Sequence, residues 1–311
     1  MNLLVTGGLG HIGSRLIRDF AKREEIDLIR IFDNLSTQRY CSLFNLPKDT
    51  KYQFIEGDIN DKNKLKSVLQ DIDIVIHLAA ITDAPATIQK PEITHQINFK
   101  GTENVLNASM KANIKKFIFP STTSVYGEAE GIVDENYDNY KPSSPYAEFK
   151  LAAEKIVQNA FIEHGFHTGV LRMGTIFGRS IGMRFHTVVN KFIYLACMRK
   201  PLSVWECALN QKRPYLWLND AIRAFEFIEK NGKAGELYNA VTRNYALQDI
   251  IDAIKSFVPD VKMSITKSPM PNQKSYTVSN KKILDLGFSF EDSLSESIRE
   301  TFELFDAIKN D

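Results

Sequence analysis

Tyr146 and Lys150 stand four residues apart in the stretch Ser-Pro-Tyr-Ala-Glu-Phe-Lys. On a helix, residues at that spacing share a face, so the phenol and the ammonium become neighbours. A free tyrosine, with a pKa of about 10, is a poor base near neutral pH. A cation a few ångströms away favours the phenolate and lowers that pKa, which makes the pair an expected proton carrier. The helix that must hold it is marked at its start. Ser143 or Ser144 can cap it, and Pro145 suits its first position. Tyr-x-x-x-Lys also arises by accident, so its weight depends on the rest of the chain.

A second chemical feature lies at the opposite end. In Thr6-Gly7-Gly8-Leu9-Gly10-His11-Ile12-Gly13 a strand gives way to a helix through a glycine turn. Such a turn lets the backbone approach a pyrophosphate, and the free N–H groups and helix dipole stabilise its charge. Asp33 closes the next strand twenty residues beyond Gly13. An acid there accepts bonds from a ribose hydroxyl and repels a 2′-phosphate, which favours NAD over NADP. Arg39 weakens that preference, because it can meet a phosphate.

The elements needed to position these residues can be read from hydrophobic period. Short apolar runs at Asn2–Thr6, Leu28–Asp33, Tyr52–Ile55, Ile72–His77, Lys116–Pro120 and His167–Met173 predict strands. Helical spacing follows Gly10 and recurs at Asn63–Gln70, Pro91–Ala112 and Pro145–His164. That alternation predicts an α/β fold: a doubly wound parallel sheet with helices on both faces. After Gly178 the rhythm changes. Helices are expected at Thr187–Arg199, Asp220–Lys230, Leu247–Phe257 and Leu294–Ile308, and short strands at Leu202–Trp205, Tyr215–Leu218 and Lys262–Ile265. The expected division is a cofactor domain over residues 1–178 and a smaller mixed α/β substrate lobe over 179–311, with some segments returning to the first domain. Such a lobe covers the crevice where doubly wound sheets bind ligands.

Composition narrows the partners. A formal net charge of +1 over 311 residues gives no support for nucleic acid or an acidic membrane surface as partner. Cys41, Cys197 and Cys207 are too few and scattered for a disulfide framework or a zinc site, and no metal is expected. With no apolar run long enough to span a membrane and a first strand at Leu3-Leu4-Val5, the expected location is cytoplasmic.

With those features in place, the chain resembles the extended short-chain dehydrogenase/reductase family, in its NAD-dependent nucleotide-sugar epimerase and dehydratase branch. The matching residues run in order along nearly the whole length. They are Gly7, Gly10 and Gly13; Asp33-Asn34-Leu35-Ser36; Gly57-Asp58-Ile59; His77-Leu78-Ala79-Ala80; and Asn98. Ser121-Thr122-Thr123-Ser124-Val125-Tyr126-Gly127, Tyr146 with Lys150, Leu171-Arg172, Arg213-Pro-Tyr and Leu286-Gly287-Phe288 follow. The resemblance implies a Rossmann-type sheet and NAD as cofactor. It places Asp58 and Ile59 at the adenine, Leu78, Ala79 and Ala80 along the pyrophosphate and ribose, and Lys150 at the nicotinamide ribose. It assigns Gly7, Gly10, His11, Ile12, Gly13, Asp33, Asn34, Ser36 and Asn98 to the cofactor as well. Thr122 matches the family's catalytic Ser/Thr position beside Tyr146. Thr122, Thr123, Tyr146, Thr175 and Arg213 are the implied contacts of a nucleotide-diphosphate sugar, with Arg213 on the diphosphate. Helices Pro91–Ala112 and Pro145–His164 would pair across a homodimer axis.

Two residues choose among branches. Dehydratases of this group carry an acidic pair directly after the catalytic threonine, where this chain has Thr123 and Ser124, neither of which acts as acid or base near neutral pH. The resemblance therefore implies epimerisation by transient oxidation at a carbinol carbon, C4 being expected. A net dehydrogenase or ketoreductase with the same triad is the alternative, and a dehydratase or a non-catalytic cofactor-binding protein ranks lower. The chain also departs from the family pattern. Thr175 replaces an asparagine, Phe149 a small polar residue, and Asn272-Gln273-Lys274 stand where a late arginine is common. His186, Trp205 and Trp217 are read as packing residues.

Overall fold

The computed structural model describes residues 1–266, 275–291, 293–305 and 307–308, so Asn272-Gln273-Lys274 lie outside the described residues. The main sheet is built from β1 (Asn2–Thr6), β2 (Leu28–Asp33), β3 (Lys51–Glu56), β4 (Ile74–His77) and β5 (Lys116–Thr122). Beyond the short strand β6 (Gly131–Val133), it gains β7 (Thr168–Met173). Strands β8 (Thr175–Phe177), β9 (Leu202–Trp205) and β10 (Lys212–Trp217) then form in the second half, before β11 (Glu236–Ala240) returns. The seven-stranded order is β11-β7-β5-β4-β1-β2-β3, every neighbouring pair parallel. The order reverses between β1 and β4, and the crevice beyond the C-terminal ends of those strands is where such sheets take ligands.

Helices cover both faces: α1 (His11–Phe20), α2 (Lys62–Val68), the single turns α3 (Ala84–Thr87) and α4 (Pro91–Thr94), α5 (Thr102–Lys111), α6 (Pro145–His164) and, after α7 (Val188–Cys197), which packs in the second lobe, α8 (Leu218–Asn231). Period-two alternation in β1 sends Leu3 and Val5 to one face and Leu4 to the other. The first face packs with Leu16 and Ile17 of α1 and Phe225 and Ile228 of α8. The second packs with Leu65 of α2, Val105 of α5 and Ala153 and Val157 of α6. Burial of that many large apolar side chains, at roughly 25 cal/mol per Å², is what holds the layers together.

Smaller sheets build the second lobe. Strand β8 pairs with β10, which pairs with β12 (Arg243–Ala246); β9 pairs with β13 (Met263–Thr266); and β14 (Tyr276–Val278) pairs with β6. Strands β6, β8, β11, β12 and β14 are not among the sequence expectations, since three to five residues carry too little period to read. The expected strand Tyr215–Leu218 instead starts at Lys212, and the helix begun at Leu294 ends at Phe302 rather than Ile308. The predicted helix Pro91–Ala112 is continuous but not uniform. Between α4 and α5, residues His95–Gly101 are π-helical. Those wider turns carry Asn98 to Ile81, whose N–H and C=O it bonds at 2.8 Å each. Gly101 sits so close to Ile59 that a Cβ would fall 2.3 Å from Ile59 Cδ1.

Candidate active site

Helix α6 starts as its sequence foretells, with the Ser144 hydroxyl accepting Ala147 N–H at 3.3 Å and Pro145 in the first turn. One buried face carries Lys150 and Glu154, four residues apart. The Glu154 carboxylate receives Arg172 of β7, through Nε at 3.0 and 3.1 Å and Nη2 at 2.7 Å, and the Ser121 hydroxyl of β5. The Arg172 guanidinium also lies 4.9 Å from the ring centres of Tyr126 and Tyr140. The ion pair fastens the helix bearing Tyr146 to β7, and the Ser121 bond fastens it to β5, the strand bearing Thr122.

At the end of β5, Thr122 Oγ1 accepts Ser124 N–H at 3.1 Å and hydrogen-bonds the Tyr146 phenol. Tyr146 is anchored by its own N–H, which donates to Thr87 Oγ1 at 3.3 Å. Burial raises the phenol's pKa, while the Thr122 bond and the charge of Arg184 act against that rise. Lys150 points elsewhere. Its Nζ donates to Pro120 O at 2.8 Å and sits 4.4 Å from the centre of the Phe119 ring. Burial lowers its pKa to about 7, opposed by the Glu154 charge. The expectation that Lys150 drives the phenol's pKa down is thus corrected. Helical spacing gives the shared face, but desolvation outweighs attraction for both groups, and the cation acting on Tyr146 is Arg184.

The glycine turn fits a dinucleotide. Gly7 has φ +65°, and a Cβ there would lie 2.6 Å from Ala79 N; a Cβ on Gly13 would lie 2.6 Å from Gly8 O. Gly10 begins α1, whose first N–H groups have no intrahelical partner and so suit an anion. Asp33 accepts Leu9 N–H at 3.1 Å on one oxygen and Leu35 N–H at 2.9 Å on the other. Each oxygen keeps a lone pair for a ribose hydroxyl. Asn34 reaches from this corner to Asp58 at 3.0 Å and accepts Ser36 N–H at 3.1 Å. Asp58 caps no helix; Asp61 caps α2. Asn98 spends its amide on Ile81, and Ile59 is packed against Gly101. Buried His11 binds Gly178 O at 2.8 Å through Nε2, and burial holds its pKa at about 3.

A cavity of about 330 Å³ joins the two features. Ile12, Leu78 and Ala80 line it from the cofactor side, and Thr122, Tyr146, Lys150 and Thr175 from the reaction side. Thr123 is not on its wall, since its hydroxyl turns to Met173 O at 3.3 Å; Ser124 is. Arg213 does not reach the wall either. It lies over the Tyr276 ring, 5.5 Å from its centre, and Tyr276 in turn donates to Thr123 O at 3.2 Å. Trp217 is buried and Trp205 is exposed. The packing reading of His186 is corrected, because it lines the cavity beside Arg184 and Thr187. Arg184 and Thr187 escaped the sequence reading, since nothing local marks the loop before α7 as part of a site.

Comparison with known proteins follows this geometry. The family model described as "NAD dependent epimerase/dehydratase family" matches residues 3–240. Among curated proteins, the human dTDP-D-glucose 4,6-dehydratase is 30% identical over 97% of this chain and 89% of its own length. Among solved structures, a UDP-glucose 4-epimerase from Thermotoga maritima superposes with a TM-score of 0.88, at 25% identity and 98% coverage of both chains. A UDP-glucuronic acid 4-epimerase from Bacillus cereus, solved with NAD, gives 0.86 at 27% identity, again covering 98% of both chains. With the glycine cradle, the Asp33 corner and a family match over most of its length, the chain belongs to the NAD dependent epimerase/dehydratase family, whose cofactor is NAD.

Proposed function

We propose that this chain is a nucleotide-sugar epimerase that oxidises and re-reduces one carbinol carbon, C4 of the sugar, with Tyr146 as the base. The observation that carries this reading is the hydrogen-bonded Thr122–Tyr146 pair on the wall of a cavity shared with the glycine-cradle side of the fold. NAD, when bound, accepts the carbinol hydride and returns it. Gly7, Gly10, Gly13 and Asp33 would hold it. The chain's own residues handle the proton. Tyr146 takes it from the sugar hydroxyl, and Thr122 aligns that hydroxyl with the phenol. The Arg184 charge favours the phenolate as it forms. Lys150, with a pKa near 7, supplies a second proton-carrying group beneath the cavity.

The curated relatives named dehydratases make elimination the reading to weigh against this one. Loss of water from the sugar needs an acid and a base placed at neighbouring carbons. Asp83 is the only carboxylate among the described residues lining the cavity, and it caps α3 by accepting Ala86 N–H at 3.2 Å. Thr123 and Ser124 carry hydroxyls where an acidic pair would be needed. The cavity therefore favours oxidation and return over elimination.

The test is incubation of the purified protein with UDP-, dTDP-, GDP- and CDP-sugars, followed by NMR of the sugar and absorbance of reduced cofactor. The expected outcome is a C4 epimer without net NADH. Net NADH in step with product would point to a dehydrogenase, and a 4-keto-6-deoxy product to a dehydratase.

A further inference from the structure

The loop between β8 and α7 brings Arg184 into the cavity and is tied down at several points. His11 Nε2 lies 2.8 Å from Gly178 O, Gly182 N–H donates to Ser14 Oγ at 2.9 Å, and Asn190 Nδ2 donates to Arg184 O at 3.0 Å. Gly182 rests against the glycine turn so tightly that a Cβ would fall 2.5 Å from Leu9 O. The guanidinium is thus held in place, with Nη1 donating to Thr82 Oγ1.

What it lacks is an anion. Among the described residues Arg184 forms no ion pair; its Nε is sealed from solvent with no hydrogen-bond partner, and so is Thr187 Oγ1. Both residues line the cavity that Tyr146 lines. Burial is the main influence against the charged guanidinium; of its neighbours the Tyr146 phenol favours it most, Arg39 opposes it and Asp83 favours it. An enclosed cation without a partner is costly, and a ligand that supplies the missing acceptor relieves that cost. Tyr146 marks the end of the cavity where the reacting carbon must lie, and Arg184 stands on the wall of the same cavity of about 330 Å³. A neutral hexose offers hydroxyls there. A carboxylate offers two acceptor oxygens that match a guanidinium edge, with the hydroxyls of Thr187, Thr175 and Ser124 nearby as further donors.

We propose that the sugar handled here is a nucleotide-linked uronic acid, whose carboxylate is received by Arg184 together with Thr187. This rests on the nucleotide-sugar reading above and adds the substrate class. Arg184 is then a specificity-determining residue, selecting acid over alcohol at the carbon beyond the ring.

The experiment is calorimetric titration of the NAD-loaded protein with UDP-glucuronate, UDP-glucose and UDP, for wild type, Arg184→Met and Arg184→Lys. Cofactor content of each variant is read by mass spectrometry. Arg184→Met is expected to weaken UDP-glucuronate by at least about tenfold, with UDP-glucose and UDP shifted by less than about threefold and NAD content unchanged. Arg184→Lys should recover part of the loss, because it keeps the charge and gives up the fork. Equal weakening of all three ligands would assign the cation to the nucleotide diphosphate. Loss of NAD would assign it to the cofactor, and an unchanged UDP-glucuronate affinity would assign it to neither; each result overturns the proposal. Selective binding of the uronate without epimerisation would overturn the epimerase reading while leaving this one standing. Failure of every nucleotide sugar to bind would remove both.

Discussion

At the scale of single residues, the account turns on a phenol whose surroundings oppose its ionisation. Burial raises the Tyr146 pKa, and the Thr122 bond and Arg184 charge only partly offset that rise. To act as the base, the phenol must therefore release its own proton before it takes the sugar's, and Lys150 on the same cavity wall, its pKa lowered to about 7, is the group able to receive it. Tyr146→Phe keeps the ring and removes the oxygen; turnover should fall by about 10²–10⁴-fold with NAD still bound, as steady-state rates and cofactor content would report. Thr122→Val should lower kcat with a smaller change in KM, because it misaligns the hydroxyl and leaves the nucleotide contacts in place. The spacing of Tyr146 and Lys150 was legible because helical periodicity is local. Arg184 was not, since its approach to Tyr146 depends on how the loop before α7 folds back over the glycine turn. Thr123 was misread for a related reason: alternation along β5 and its turn decides which of three adjacent hydroxyls faces the cavity, and Thr123 turns to Met173 O.

At the scale of elements, the site is only as well placed as α6 is on the sheet. The buried Glu154–Arg172 pair and its Ser121 bond join α6, β5 and β7 within one network. Glu154→Ala strands a buried guanidinium and should cost about 3–5 kcal/mol, measured by urea unfolding. A loss below about 1 kcal/mol would mean that solvent reaches the site and the pair is not structural. The glycine turn makes a second element-scale prediction. Gly7→Ala adds a methyl where φ is +65° and Ala79 N is 2.6 Å from the new carbon, so NAD retention should fall sharply. The longer apolar runs announced their strands, and so did the short ones at Leu202–Trp205 and Lys262–Ile265, while β6, β8, β11, β12 and β14 did not. So few residues declare a period poorly, and their pairing is decided by partners far away in sequence.

For the molecule as a whole, the sheet order places both features on one crevice, and the chain's second half completes it. Strand β11 and helix α8 return to the main sheet although they follow residue 178. A boundary drawn in sequence marks where the alternation ends, and the sheet's edge is filled later from within the second lobe. The core predicts acid sensitivity. His77 lies 2.7 Å from Thr6 Oγ1 and 3.0 Å from Thr102 Oγ1, and Thr102 donates to Asn98 O at 2.8 Å. Thr102 therefore accepts from His77 Nε2–H, and Nδ1 accepts from Thr6, a neutral tautomer with no room for another proton. Burial holds His11 and His77 at about 3, against an ordinary 6.5. Between those values the unfolded chain binds protons that the folded chain refuses, so stability falls as pH drops through that window. Thermal unfolding should show Tm declining from pH 6.5 toward pH 4, and His77→Gln should flatten the slope.

The central claim is oxidation and return at one carbon, and isotope tracing reads it most directly. Nucleotide sugar deuterated at C4 and C5 is turned over by the NAD-loaded protein in ordinary water, and the product is examined by NMR. The account predicts a C4 epimer that keeps its deuterium at C4 and gains no solvent hydrogen at C5. Deuterium found at a carbon other than C4 or C5, solvent hydrogen at C5, or deuterium retained on released cofactor would contradict it.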